Sequence, residues 1–182
     1  MATSYTPPAK LIWWKEPIER TEVIWITIAF LWCIFMFAWM IAWHWIGNQN
    51  MANEAYKTTP ENYAAKVEAF TSKYTVRQDV NDPSLPVVHP PAGSDVYIAG
   101  SRWQWRPLVE LEKGKSYRVH ISSLDWDHGF SLQPLNINFQ AYPGYEQVIT
   151  MTPNSSGTFT IVCNEYCGIG HHTMLGKIYV KE

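Results

Sequence analysis

Thr158-Phe159-Thr160-Ile161-Val162 runs directly into Cys163-Asn164-Glu165-Tyr166-Cys167-Gly168-Ile169-Gly170-His171-His172-Thr173-Met174, and Leu175-Gly176-Lys177-Ile178-Tyr179-Val180 follows. The two flanks are rich in β-branched and aromatic residues and predict a pair of strands. The twelve residues between them form a loop carrying two thiols, an imidazole and a thioether. Soft sulfur donors with imidazole favour copper, or zinc where no redox activity is wanted. Gly168 and Gly170 predict a tight fold of that loop, because glycine takes positive φ without a Cβ clash.

Upstream of this loop, from Ser94 onward, short strands alternate with turns. Residues 96–99, 108–111, 117–121 and 147–151 read as strands, and Lys113-Gly114-Lys115 and Pro143-Gly144-Tyr145 as turns. Regular short strands within some ninety residues predict a Greek-key β-sandwich. His120 alternates with apolar neighbours and reads as a face residue of its strand. Asp125-Trp126-Asp127-His128-Gly129-Phe130 places a second histidine on a loop after a strand. In a sandwich that loop can lie beside the 163–174 loop, and His128 then becomes a candidate ligand.

The chain has 182 residues, which suits one domain of ordinary size and an anchor. A net charge of -2 gives no electrostatic case for nucleic acid. Three cysteines (Cys33, Cys163, Cys167) are too few for a disulfide scaffold, and the spacing of the last two fits a metal or redox site. From Val23 to Trp43 there is no charged residue, and Thr27 is the one plainly polar side chain. At about 1.5 Å per residue this run spans roughly 30 Å, the hydrocarbon thickness of a bilayer. Tryptophans 25, 39, 43 and 45 lie toward its ends, as an interfacial belt does. A signal peptide would be shorter and end at a small-residue cleavage site. Cys33 within the span reads as a small packing residue. Lys10, Lys15 and Arg20 precede the span and Lys57 and Lys66 follow it, so the charge bias puts the N-terminus in the cytoplasm and the C-terminal domain outside.

Four segments result: 1–22, a cytoplasmic N-terminal segment; 23–46, a transmembrane helix; 47–93, a helical segment with a proline-rich linker; and 94–182, the sandwich. Within the third, Thr59-Pro60-Glu61 reads as a helix start, and Tyr63, Val67, Phe70 and Tyr74 follow at helical spacing. This predicts a short helix packed on the domain or on the membrane surface. Residues 79–93 read as connector, and His89 within it as a solvated loop residue.

With these motifs in hand, the chain resembles subunit II of heme–copper oxidases in its copper A domain. The resemblance rests on His128-Gly129-Phe130, then Pro143-Gly144, then the Cys-x-Glu-x-Cys-x-x-x-His-x-x-Met loop, in that order over roughly residues 95–182. It implies a cupredoxin sandwich. The single anchor and Asn136-Ile137-Asn138 are similar to the B-type branch of that family. Trp103-Gln104-Trp105 is similar to its aromatic stretch, which implies an electron-transfer surface at Trp103 and Trp105. Asp127 departs from the family, which has an apolar residue before the histidine.

Donor counting agrees with a two-metal centre. A blue copper site uses one Cys, two His and a weak axial ligand, whereas this chain offers two Cys, two His and one Met. If Cys163 and Cys167 bridge two copper ions, His128 and His171 supply one imidazole each and Met174 a weak ligand. The resemblance assigns the remaining donor to the backbone carbonyl of Glu165. It further implies electron entry from a cytochrome c or small copper protein, delivery to heme in a separate catalytic subunit I, and a place in the cell membrane with the C-terminal domain extracytoplasmic. The reaction served is dioxygen reduction, or nitric oxide reduction in the related copper-A-containing reductases. Two other classes stand beside this one. A membrane-anchored copper chaperone would need a thioredoxin-like alternation of helices and strands. A structural zinc site could use Cys163, Cys167, His128 and His171. Glu19 and Glu22 stand just before the apolar run. B-type oxidases have a carboxylate at this point that marks a proton entrance; a charged collar at the helix start is the plainer role. His44 at the far end reads as interfacial.

Overall fold

A computed structural model of the protein describes residues 17–47, 54–133 and 135–182. Lys10 and Lys15, which carry part of the orientation argument, lie outside the described residues. The chain divides into two compact units, Met1–Asn48 and Gln49–Glu182.

The first unit contains α1 (Arg20–Ile46), a helix of 27 residues. At about 1.5 Å per residue it is about 40 Å long, and it is apolar enough to cross a membrane. Its start is satisfied locally: the Glu19 amide donates to Glu22 Oε2 at 3.0 Å. Thr27 hides its hydroxyl by donating to the Val23 carbonyl at 2.7 Å. Among the described residues, none of its side chains is buried, so its apolar surface needs lipid or another helix around it.

The second unit is built from β1 (Glu54–Lys57), α2 (Pro60–Tyr74), β2 (Thr75–Gln78), β3 (Pro86–Val88), β4 (Asp95–Ser101), β5 (Gln104–Arg106) and β6 (Leu108–Glu112). Next come β7 (Tyr117–Ser123), β8 (His128–Leu132), β9 (Ile137–Ala141), β10 (Tyr145–Met151), β11 (Gly157–Val162) and β12 (Leu175–Lys181). The strands form two sheets, β1-β10-β7-β4-β5 and β2-β3-β6-β12-β11-β8-β9. Alternate residues point inward: Val119 and Ile121 of β7, Ile149 and Met151 of β10, Phe130 and Leu132 of β8, and Ile178 and Val180 of β12 join one core. Each such side chain contributes roughly 1.5–3 kcal/mol by leaving water.

The helix start at Thr59 is seen, with Thr59 Oγ1 accepting from the Asn62 amide at 3.3 Å. The helix packs on the sandwich itself, burying Tyr63, Val67 and Phe70. Tyr63 pins it by donating to the carbonyls of Ile98 (3.0 Å) and His120 (2.8 Å).

The stretch 79–93 is more than a connector. Val87 and Val88 are fully buried, and β3 pairs in parallel with β6 and antiparallel with β2. Pro86 is tolerated because it opens the strand, where its missing N–H costs little. The sheets therefore recruit residues well before Ser94. His89 is half-buried, with Nδ1 3.0 Å from the Glu110 carbonyl. Asp79, also buried, ties this stretch to β12. It accepts from the Tyr179 hydroxyl and from Lys177 Nζ at 3.0 Å. The Tyr179 and Lys177 hydrogen bonds overcome burial and hold its carboxyl at about 2.

Candidate metal centre

The 163–174 loop is closed at its base by strand pairing of Val162 with Leu175 and by the Cys163 amide donating to the Met174 carbonyl at 3.2 Å. One 3₁₀ turn, His171–Thr173, aims His171 back toward Cys167. Gly168 has φ +116°, so it supplies the backbone freedom its residue type implied. Gly170 serves differently: its φ is -88°, and a Cβ there would lie 2.2 Å from the Trp103 ring. Trp103 thus packs closely against the loop, and its indole N–H donates to the Cys167 carbonyl at 3.4 Å.

The Sγ atoms of Cys163 and Cys167 are 3.7 Å apart. Cys163 Sγ faces His128 Nδ1 at 3.9 Å and the Glu165 carbonyl at 3.3 Å. Cys167 Sγ faces His171 Nδ1 at 3.7 Å and Met174 Sδ at 3.9 Å. Both cysteines, His128 and Met174 are buried, whereas the Glu165 side chain and His172 are exposed. Among the described residues, His128, Cys163 and Cys167 form a group able to hold a metal ion. Two thiolates about 2.3 Å from one tetrahedral metal lie roughly 3.7 Å apart, so the donor set fits a metal without rearrangement. Burial, reinforced by the adjacent Cys163 thiol, pushes the Cys167 thiol up to about 11, so metal binding here releases a proton.

His128 opens β8, and its Nε2 donates to Asp125 Oδ1 at 2.9 Å. That bond orients the ring and leaves Nδ1 for the sulfur side. Burial works against ionisation of Asp125, but hydrogen bonds from His128 and the amides of Arg102 and Trp126 outweigh it and hold its carboxyl below the usual range. Asp125 was missed in the sequence, although a carboxylate three residues before a candidate histidine is a readable signal. The loops approach closely at Gly129, where a Cβ would meet Asn164 Oδ1 at 2.0 Å. Asn164 Nδ2 in turn donates to Asn138 Oδ1 at 3.0 Å.

Trp105 departs from expectation. Expected on an electron-transfer surface with Trp103, it is fully buried. Its ring meets Phe130 edge-on at 5.2 Å and His128 at 6.0 Å. The strand alternation of β5 turns Trp105 inward. Trp103, in the turn before it, stays partly exposed beside Cys167. Glu19 and Glu22 lie at the start of α1, with Glu22 engaged as a helix cap.

Comparison with known proteins gives the fold a lineage. A sequence family described as the periplasmic domain of cytochrome c oxidase subunit II matches residues 100–181. Cytochrome c oxidase subunit 2 of Thermus thermophilus is 37% identical over 112 residues, which cover 59% of this chain and 83% of that relative. The chain belongs to the cytochrome c oxidase subunit II family. It is one subunit of an oxidase complex, and catalytic subunit I is the implied partner. A subunit II relative from Streptomyces coelicolor is 36% identical over 74 residues, covering 41% of this chain and 23% of the relative. One chain of a heme-copper terminal oxidase dimer superposes with a TM-score of 0.57 at 22% identity, covering 89% of this chain and all of that one. A rusticyanin, a copper protein, superposes at 0.53 with 19% identity over 72% of this chain and all of its own. The fold of this subunit II is therefore a cupredoxin-like sandwich.

Proposed function

We propose that this subunit II is the electron-entry subunit of a membrane terminal oxidase and holds a dinuclear copper A centre. The observation that carries the reading is the distribution of donors: His128 faces one thiol and His171 the other. A third donor accompanies each side, the Glu165 carbonyl at Cys163 and the Met174 thioether at Cys167. A single tetrahedral zinc has no use for two donors beyond its four. In this reading Cys163, Cys167, His128 and His171 would hold the two copper ions, with Met174 and the Glu165 carbonyl as weak donors. When bound, the copper pair exchanges single electrons. The chain's residues hold that set rigid and keep water from the sulfurs, so little has to move when charge changes. The two-sheet sandwich does not favour a thioredoxin-like copper chaperone.

The donor, a cytochrome c or small copper protein, would dock over the groove of about 650 Å³ that Trp103, Trp126, Tyr166 and Ile169 help to line. Tyr166 and Ile169 are 81% and 86% exposed, and Trp126 57%, a cluster of large apolar side chains suited to a partner. Electrons pass on to heme in catalytic subunit I, for reduction of dioxygen; nitric oxide remains the alternative acceptor. The apolar α1 anchors the subunit in the cell membrane, and the match to a periplasmic domain family supports an extracytoplasmic sandwich. Copper content and EPR of the full chain in detergent test the centre. The expected result is two coppers per chain with a multi-line mixed-valence spectrum. One EPR-silent zinc per chain would reject it.

A further inference from the structure

The turn between β4 and β5 touches both halves of the metal centre through consecutive residues. Trp103 reaches Cys167, as described. Arg102 reaches Asp125: its amide donates to Oδ2 at 2.9 Å and its Nε donates to the same oxygen at 3.3 Å. The other oxygen, Oδ1, receives His128 Nε2 at 2.9 Å and the Trp126 amide at 2.7 Å. The Arg102 guanidinium also lies over the Trp126 ring, 5.5 Å from its centroid. One residue therefore holds the carboxylate's second oxygen and covers the loop that carries it.

We propose that Arg102 is a positioning residue that tunes His128 through Asp125. A carboxylate hydrogen-bonded to an imidazole N–H raises the basicity of the opposite nitrogen. The more charge the carboxylate directs at that N–H, the stronger a ligand Nδ1 becomes, and the more the oxidised metal is favoured. Arg102 is always cationic and draws part of that charge toward Oδ2. It thereby limits how strongly His128 donates and keeps the centre easier to reduce. An exposed ion pair alone has little effect. Here the backbone amide fixes the geometry, and Asp125 is mostly shielded, at 22% side-chain exposure.

The inference rests on the copper reading, but part of its test needs no metal. Arg102→Met should retain copper loading, lower the midpoint potential, and move the His128 Nε2–H resonance of the metal-free protein downfield. Arg102→Lys should restore most of both changes. In an Asp125→Asn background, Arg102→Met should have no further effect on potential, since the two act through one contact. Copper loading that fails in the unaltered chain would reject the copper reading and leave the resonance arm standing. An unmoved resonance, an unmoved potential, additive effects in the double variant, or loss of copper that lysine does not restore would each overturn the role assigned to Arg102.

Discussion

Two buried histidines, His120 on β7 and His128 at the start of β8, have opposite fates in the same sandwich. His120 Nδ1 lies 2.5 Å from Glu146 Oε1, and Nε2 lies 3.1 Å from Asp95 Oδ1. Tyr97 stacks on its ring at 4.5 Å. Lys66 of α2 bonds the other oxygen of Glu146 at 2.6 Å. Both ring nitrogens are occupied by carboxylates, so nothing remains for a metal. His128 has one carboxylate, at Nε2, and its Nδ1 looks onto a thiol 3.9 Å away. What separates a structural histidine from a candidate ligand is what the second nitrogen faces. Burial does not distinguish them, since both are buried.

The strongest way to break this comparison is to exchange outcomes between the two regions. Cys163→Ser should abolish the two-copper spectrum, because a hydroxyl is a poor substitute for a soft bridging thiolate. His120→Gln should leave copper content and spectrum intact, yet cost about 1–3 kcal/mol by weakening the contact to Glu146 Oε1, while Lys66 still holds Oε2. Metal analysis, EPR and denaturant unfolding read all three quantities. A His120 variant that loses copper at full stability would erase the distinction.

Asp79 sharpens the structural side, because it joins elements without any metal. Its folded value of about 2 lies below the ordinary aspartate value of 3.8. A depressed carboxylate stabilises the fold above its unfolded value and stops doing so as pH falls through the folded one. The loss therefore falls between about pH 4 and pH 2. Asp79→Asn should cost about 1–3 kcal/mol at neutral pH and flatten the acid limb in that window, read by unfolding as a function of pH. An unchanged acid limb would remove Asp79 from the network. The smallest effect is expected on the metal side: Met174→Leu should keep both coppers and shift only the potential, since a thioether is a weak axial donor. Loss of one copper would make Met174 a principal ligand.

Legibility followed sequence distance. The 163–174 loop carries its donors within one short segment between paired strands, so residue type and spacing alone brought Cys163, Cys167, His171 and Met174 into one proposal. His128 needed the added idea that two loops share one end of a sandwich, and the structure brings it to Cys163. The apolar run of α1 and the helix start at Thr59 were likewise readable, because span length and capping are local properties.

What the sequence determined by itself was the sandwich class, the apolar span and the donor types gathered on the loop, since each depends on neighbours a few residues apart. Tertiary structure decided the rest. It turned Trp105 inward and left Trp103 at the loop, because strand alternation can be assigned to a face only once the sheets pack. It drew Val87 and Val88 into the seven-stranded sheet despite their proline-rich setting, because their apolar surface gains more from burial than the flanking prolines lose in hydrogen bonds. It gave His120 two carboxylates and His128 one, from Asp95, Glu146 and Asp125. The first two are distant in sequence from the histidine they meet, and only the pairing of strands brings such groups within hydrogen-bond reach.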